Sequence, residues 1–171
     1  MKKIVCAIAT ATVALLCGNV QAQLATAVMP VSALVLSSCV VAATPLLFGN
    51  YNGTSATDTT GSATVTLICA GTTTATIELD NGTNHNGTTR RMAPLLGTDR
   101  LSYGLFKPLT AEAGAGCGAL TVPFGTGVGA SMPVIGLTIT AQIFNVCGNI
   151  PTGQSAALGA YTDVVNVNVT F

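Results

Sequence analysis

The chain has 171 residues, enough for one domain, with 49% hydrophobic residues, only 7% charged residues and a formal net charge of zero. So few charges exclude a basic face for nucleic acid and an electrostatic hold on a membrane surface. Thr, Val, Ala and Gly dominate, Trp is absent and helix formers are scarce, which predicts a β protein.

In chain order, Lys2 and Lys3 precede an apolar run from Ile4 to Cys17, too short to span a bilayer comfortably. Val20-Gln21-Ala22 follows with small residues at a cleavage point. Residues 1–22 therefore read as a secretory signal peptide, cut after Ala22. The remaining chain carries four basic side chains (Arg90, Arg91, Arg100, Lys107) against six acidic ones, a formal charge of −2. It keeps Cys39, Cys69, Cys117 and Cys147. In an exported chain these predict two disulfides. Three pairings are open. The local one, Cys39 with Cys69 and Cys117 with Cys147, is the expectation taken, each bond closing a loop worth roughly 3–4 kcal/mol. With no CxxC and one histidine, a zinc site is not expected.

Residues 23–38 form an N-terminal segment ahead of a domain at 39–171. Within the segment, Met29, Val31, Ala33 and Val35 alternate onto one face. Ala63 to Cys69, Thr74 to Leu79 and Leu101 to Phe106 alternate likewise. So does Leu137 to Phe144, with Leu137, Ile139, Ala141 and Ile143 together. Asp80-Asn81-Gly82 is a turn, and 112–131 is Gly-rich. Tyr161 to Phe171 reads as one last strand, with Val165, Val167, Val169 and Phe171 on a face. Short strands between Gly, Asn and Pro turns predict an all-β sandwich.

Catalytic constellations are set aside. His85 lies in an Asn/Gly loop without a partner, no GxSxG elbow occurs, and Gly125-Thr-Gly-Val-Gly129 lacks a strand-then-helix context. Arg90 and Arg91 are expected in solvated ion pairs with Asp80 or Asp99, and Glu78 is expected to be exposed. Neither enzyme activity nor a cofactor is expected.

The stretch Val31-Ser-Ala-Leu-Val-Leu-Ser-Ser-Cys-Val-Val-Ala-Ala-Thr-Pro-Leu-Leu-Phe-Gly-Asn-Tyr51 resembles the opening of spore coat protein U domains, also the building block of archaic (Csu-type) chaperone–usher pili. Val65-Thr-Leu-Ile-Cys69, Ile77-Glu-Leu-Asp-Asn-Gly82, Arg91-Met92, Leu101-Ser-Tyr-Gly-Leu105, Gly148-Asn-Ile-Pro-Thr-Gly-Gln154 and Gly159-Ala-Tyr-Thr-Asp163 follow in the family's order. Cys147 departs from the pattern and looks like an added staple to Cys117. The resemblance implies an incomplete immunoglobulin-like β-sandwich completed by a donor strand from a neighbouring subunit. Met29, Val31, Ala33 and Val35 would be the donated face. Val165, Val167, Val169 and Phe171 would edge the acceptor groove, filled first by a periplasmic chaperone and then, at an outer-membrane usher, by the next subunit. The expected product is a head-to-tail homopolymer: an extracellular fimbria serving adhesion and biofilm formation. The alternatives are a self-contained spore-coat-like protein and, third, a tip adhesin.

Overall fold

The computed structural model describes residues 26–171, so the signal-peptide expectation lies outside the described residues. The chain divides into two units, Met1–Ala33 and Leu34–Phe171. In the first, residues 26–33 have no regular secondary structure and are exposed.

The second unit is all-β. Its strands are β1 (Ser38–Ala43), β2 (Thr59–Ala70), β3 (Thr74–Leu79), β4 (Arg90–Pro94), β5 (Leu101–Phe106), β6 (Met132–Ile135), β7 (Gln142–Ile150), β8 (Tyr161–Thr162) and β9 (Val167–Thr170). A six-stranded sheet runs β1-β2-β7-β5-β4-β8 and a three-stranded sheet runs β6-β3-β9. Every pairing is antiparallel.

Alternation sets which side chains the two sheets enclose. β2 contributes Ala63, Val65, Leu67 and Cys69 to the core, β3 contributes Ala75, Ile77 and Leu79, and β5 contributes Leu101, Tyr103 and Leu105. These faces are the ones the sequence predicts. Both expected disulfides are present, Cys39–Cys69 and Cys117–Cys147. The first joins directly opposed residues of β1 and β2.

Two expected strands are corrected. The seventh strand starts at Gln142, not Leu137, and its inward phase is Phe144, Val146 and Ile150. Ile139 and Ile143 are exposed instead. Pairing decides the phase: Phe144 opposes Val65 and Val146 opposes Ala63, so both must face inward. The Thr138 hydroxyl bonds both the side chain and the main chain of Thr140, which sets a local turn ahead of the strand. Cys147 points outward yet is buried, bonded to Cys117 of the Gly-rich region.

The expected last strand is two. β8 pairs with β4 in the larger sheet, and β9 pairs with β3 in the smaller one. The chain crosses between sheets over residues 163–166.

Opposite each other in β2 and β7 stand Gly61 and Gly148. A Cβ on Gly148 would lie 2.9 Å from the Phe48 ring and 3.0 Å from Leu46, and one on Gly61 would lie 3.2 Å from each. The glycine pair makes a hollow that Leu46 and Phe48 fill. Phe48 also meets Tyr103 edge-on, with ring centroids 5.9 Å apart.

Candidate functional site

Pairing leaves one edge of β9 open among the described residues. The crossover settles which main-chain groups face it. Asp80 N–H donates to the Asn166 carbonyl, and Asn166 N–H donates to the Asp80 carboxylate, so Asn166 faces β3. Strand alternation then turns the N–H and C=O groups of Val165, Val167 and Val169 to the open edge. Their side chains point to the core but are only half-buried, and Phe171 is 52% exposed.

The facing edge belongs to β1 in the other sheet. Val41 and Ala43 oppose Leu67 and Val65, so they too point inward. Leu67 and Val65 are buried, whereas Val41 is 39% exposed and Ala43 is exposed. Inward-pointing side chains at both sheet edges therefore lack cover. Between the edges lies an apolar cleft of about 460 Å³. Val65, Tyr103, Leu105 and Val146 line it, with Leu46 and Phe48 on one bank and Val165 and Val167 on the other.

Polar groups fix the second bank. Asp163 accepts bonds from Thr83 Oγ1 (2.8 Å), Asn84 N (3.0 Å), Asn84 Nδ2 (3.0 Å) and Tyr103 Oη (2.8 Å). Burial opposes its ionisation, but the bonds from Tyr103, Thr83, Asn84 and Val164 prevail and hold the carboxyl below its ordinary value. Asp80 accepts from Gly82 N, Asn166 N and Asn166 Nδ2. Its carboxyl is likewise held low by these bonds against desolvation. Burial first, and the bond to Asp163 second, push the Tyr103 phenol well above its usual value. A side chain on Gly82 (φ +79) would run into Asp163, so glycine is required there.

Arg90 is 7% exposed and donates to the carbonyls of Leu79 and Asp80. Arg91 donates to the carbonyls of Asn84 and His85. Both therefore brace loop backbone instead of forming the solvated ion pairs expected of them. Glu78 is half-exposed and accepts from Gly127 N. A second set of bonds joins β5 to the loops at Tyr51 and Gln154. Gln154 bonds both main-chain groups of Ser102, and its N–H donates to Tyr51 Oη. Residues of the motifs at Ile77 to Gly82, Leu101 to Leu105, Gly148 to Gln154 and Gly159 to Asp163 thus take part in two sets of hydrogen bonds.

The segment with the alternating apolar face has no strand through residue 37. Met29 (81%), Val31 (84%) and Val35 (79%) are exposed, as are Ala33 and, on the opposite face, Leu34 and Leu36. The resemblance implied Val165, Val167, Val169 and Phe171 for one edge of a groove. It missed the other bank: Val41, Ala43, Leu46 and Phe48. The facing glycines Gly61 and Gly148 were its only trace. Among the described residues no cluster of three or more His, Cys, Asp or Glu could hold a metal, and no helix is long and apolar enough to cross a membrane.

Two antiparallel sheets packed as an all-β sandwich place the chain in the immunoglobulin-like fold class. A chain in the chaperone–tip adhesion subunit pre-assembly complex from archaic chaperone-usher Csu pili of Acinetobacter baumannii matches with a TM-score of 0.51 at 22% identity. The match covers 80% of this chain and 40% of that one. A chain of a chaperone–tip adhesin complex of CFA/I fimbriae matches with a TM-score of 0.44 at 13% identity, over 71% of this chain and 37% of that one. This chain thus spans about 40% of the length of the solved chains it matches. Protein U of Myxococcus xanthus is 30% identical over 137 residues, which are 74% of this chain and 71% of that protein. The Spore Coat Protein U domain model matches residues 25–168, and the chain belongs to that family.

Proposed function

We propose that this chain is a structural subunit of an extracellular chaperone–usher pilus that polymerises by strand donation. The N-terminal segment of one copy fills the groove of the next. One observation carries this: the inward-pointing residues of both banks, Val41 and Ala43 against Val165, Val167 and Val169, are exposed or only half-buried beside a β9 edge that pairs with no strand. A strand laid there would take up the N–H and C=O groups of Val165, Val167 and Val169, and alternate side chains would enter the cleft. The exposed Met29, Val31, Ala33 and Val35 supply such a strand. Their burial would contribute on the order of 6–10 kcal/mol gross. Pro30, without an N–H, would fall at the strand's start.

An open apolar edge aggregates unless capped. A periplasmic chaperone would therefore supply a temporary strand, and an outer-membrane usher would exchange it for a subunit's. This ordering requires that residues 1–22 be removed during export. Because the contact is head-to-tail and does not close, it builds a filament. Adhesion and biofilm formation are the roles such a filament would serve.

Production with and without a co-expressed pilus chaperone tests the proposal. The expected outcome is a one-to-one chaperone complex and, with an usher, surface filaments visible by electron microscopy. A stable chaperone-free monomer with residues 29–35 protected from proteolysis would overturn it. That outcome would favour the self-contained coat protein instead.

A further inference from the structure

The first disulfide sits where the N-terminal segment joins the folded unit. The segment ends at Ser37, whose hydroxyl bonds the Gly71 carbonyl at 3.2 Å, and β1 begins at Ser38. Cys39 is the second residue of that strand. It is bonded to Cys69, its direct cross-strand partner in β2.

The two strands joined are unequal. β1 is an edge strand, and only Cys39 among its six residues is even half-buried. Val40 is 62% exposed, and so β1 is held by ladder hydrogen bonds with little apolar burial. β2 has twelve residues, is paired on both edges, and places Val65, Leu67 and Cys69 in the core at no more than 1% exposure. Ladder bonds contribute roughly 0.5–1.5 kcal/mol net each, and an edge ladder opens one or a few pairs at a time.

We infer that the Cys39–Cys69 disulfide is a tension clamp. It passes a pull on the N-terminal segment directly into the central strand β2 and keeps β1 from peeling away. The inference rests on strand donation, because only then does the segment connect one subunit to the next. Force enters at Ser38 and crosses the sulfur bridge at Cys39. It reaches β2 before Val40 to Ala43 bear load, and β1 therefore keeps its place on the groove bank. The Cys117–Cys147 bond ties β7 to the Gly-rich region and lies off this path.

Isolated filaments are pulled in an optical trap, comparing the natural chain with C39A/C69A and C117A/C147A. The C39A/C69A filaments are expected to extend at lower force. Each subunit should release an additional length of about 20 Å as the six residues of β1 come free. The C117A/C147A filaments should match the natural ones. Equal force and equal extension in all three would overturn the clamp. If C39A/C69A is not exported, natural filaments are held taut or slack in a small thiol and then alkylated. A thiol attacks one sulfur of the bond and releases the other cysteine as a thiolate. Labelling of the cysteine freed from the Cys39–Cys69 bond, and not of one from the Cys117–Cys147 bond, should be faster under tension. Equal labelling of taut and slack filaments would overturn the clamp. A natural chain that forms no filaments at all would instead defeat strand donation.

Discussion

The smaller sheet has two edges, and they are finished differently. β6 at one edge is four residues long and carries Pro133, which has no N–H to offer. Its inner residues, Met132 and Val134, are 2% and 1% exposed. β9 at the other edge is equally short and also alternates. Yet Val167 and Val169 are only half-buried, and no proline or charge occurs from Val164 to Phe171. The same apolar alternation is complete at one edge and incomplete at the other. The difference lies in what faces each edge. Just beyond β6 in the chain, Leu137 is buried in the core. Across the cleft from β9 stands Ala43 of β1, which is exposed. On the proposed function, one edge is guarded against strand addition and the other is left open to it.

The largest expected effect breaks the invitation from the donor side. Val31→Asp or Ala33→Asp would bury an unpaired carboxylate in the next subunit's cleft. That costs several kcal/mol, at least about a hundredfold in subunit affinity. Filaments should vanish from micrographs while the chaperone complex survives gel filtration. Normal filaments from both variants would sink the assignment of Met29, Val31, Ala33 and Val35.

Next, Val169→Pro makes β9 resemble β6. It removes an N–H that faces the open edge and leaves the β3 pairing of Asn168 and Thr170 in place. Loss of that bond and of local fit should weaken assembly by about 1–3 kcal/mol, measured as the yield of detergent-resistant filament ladders. An unchanged ladder would mean that the β9 edge is not where strands add.

Asp163→Ala removes the acceptor for four hydrogen bonds at the crossover. It should lower filament thermal stability by about 1–3 kcal/mol, with Tyr103→Phe nearer 1 kcal/mol. Acid should act in the same direction. The folded-state carboxyls of Asp80 and Asp163 lie below their ordinary value of 3.8, so their stabilisation is fully present above that value. Melting temperature should hold from neutral pH to about 5 and fall as pH drops below about 4. Asp163→Ala should flatten that fall, and an identical acid profile would rule out the carboxylate brace.

The smallest effect concerns the guarded edge. Pro133→Val should change stability by no more than about 0.5 kcal/mol. It should raise light scattering of concentrated chaperone complex, because an N–H is restored at an exposed edge.

Much of the fold is legible in the sequence because β2, β3 and β5 each bury one face and expose the other. Their alternation is a direct image of their environment. Cys39 and Cys69 pair as expected, being opposed in adjacent strands. The seventh strand is misread because Leu137, Ile139, Ala141 and Ile143 alternate as well as Phe144, Val146 and Ile150 do. Only the partner strand chooses between the two phases, and partners are not visible locally. Tyr161 to Phe171 looks continuous because both short strands alternate. The break depends on Asp163 and Asp80 capturing loops some eighty residues away in sequence. The bank built from Leu46 and Phe48 is hidden for a similar reason. It depends on Gly61 and Gly148 meeting across strands.

The crossover between β8 and β9 has a consequence for how the site meets its guest. Asp80 and Asp163 tie both ends of residues 163–166, and so the receiving bank is preorganised and gives up little freedom on filling. Nearly all the ordering then falls on the arriving segment. Fixing backbone costs about 1–2 kcal/mol per residue, roughly 7–14 kcal/mol for Met29 to Val35. That is of the same size as the gross gain from burying its apolar face. The balance then rests on stiffness already present in the guest. Pro30, whose ring restricts the free segment before it ever docks, lowers that cost.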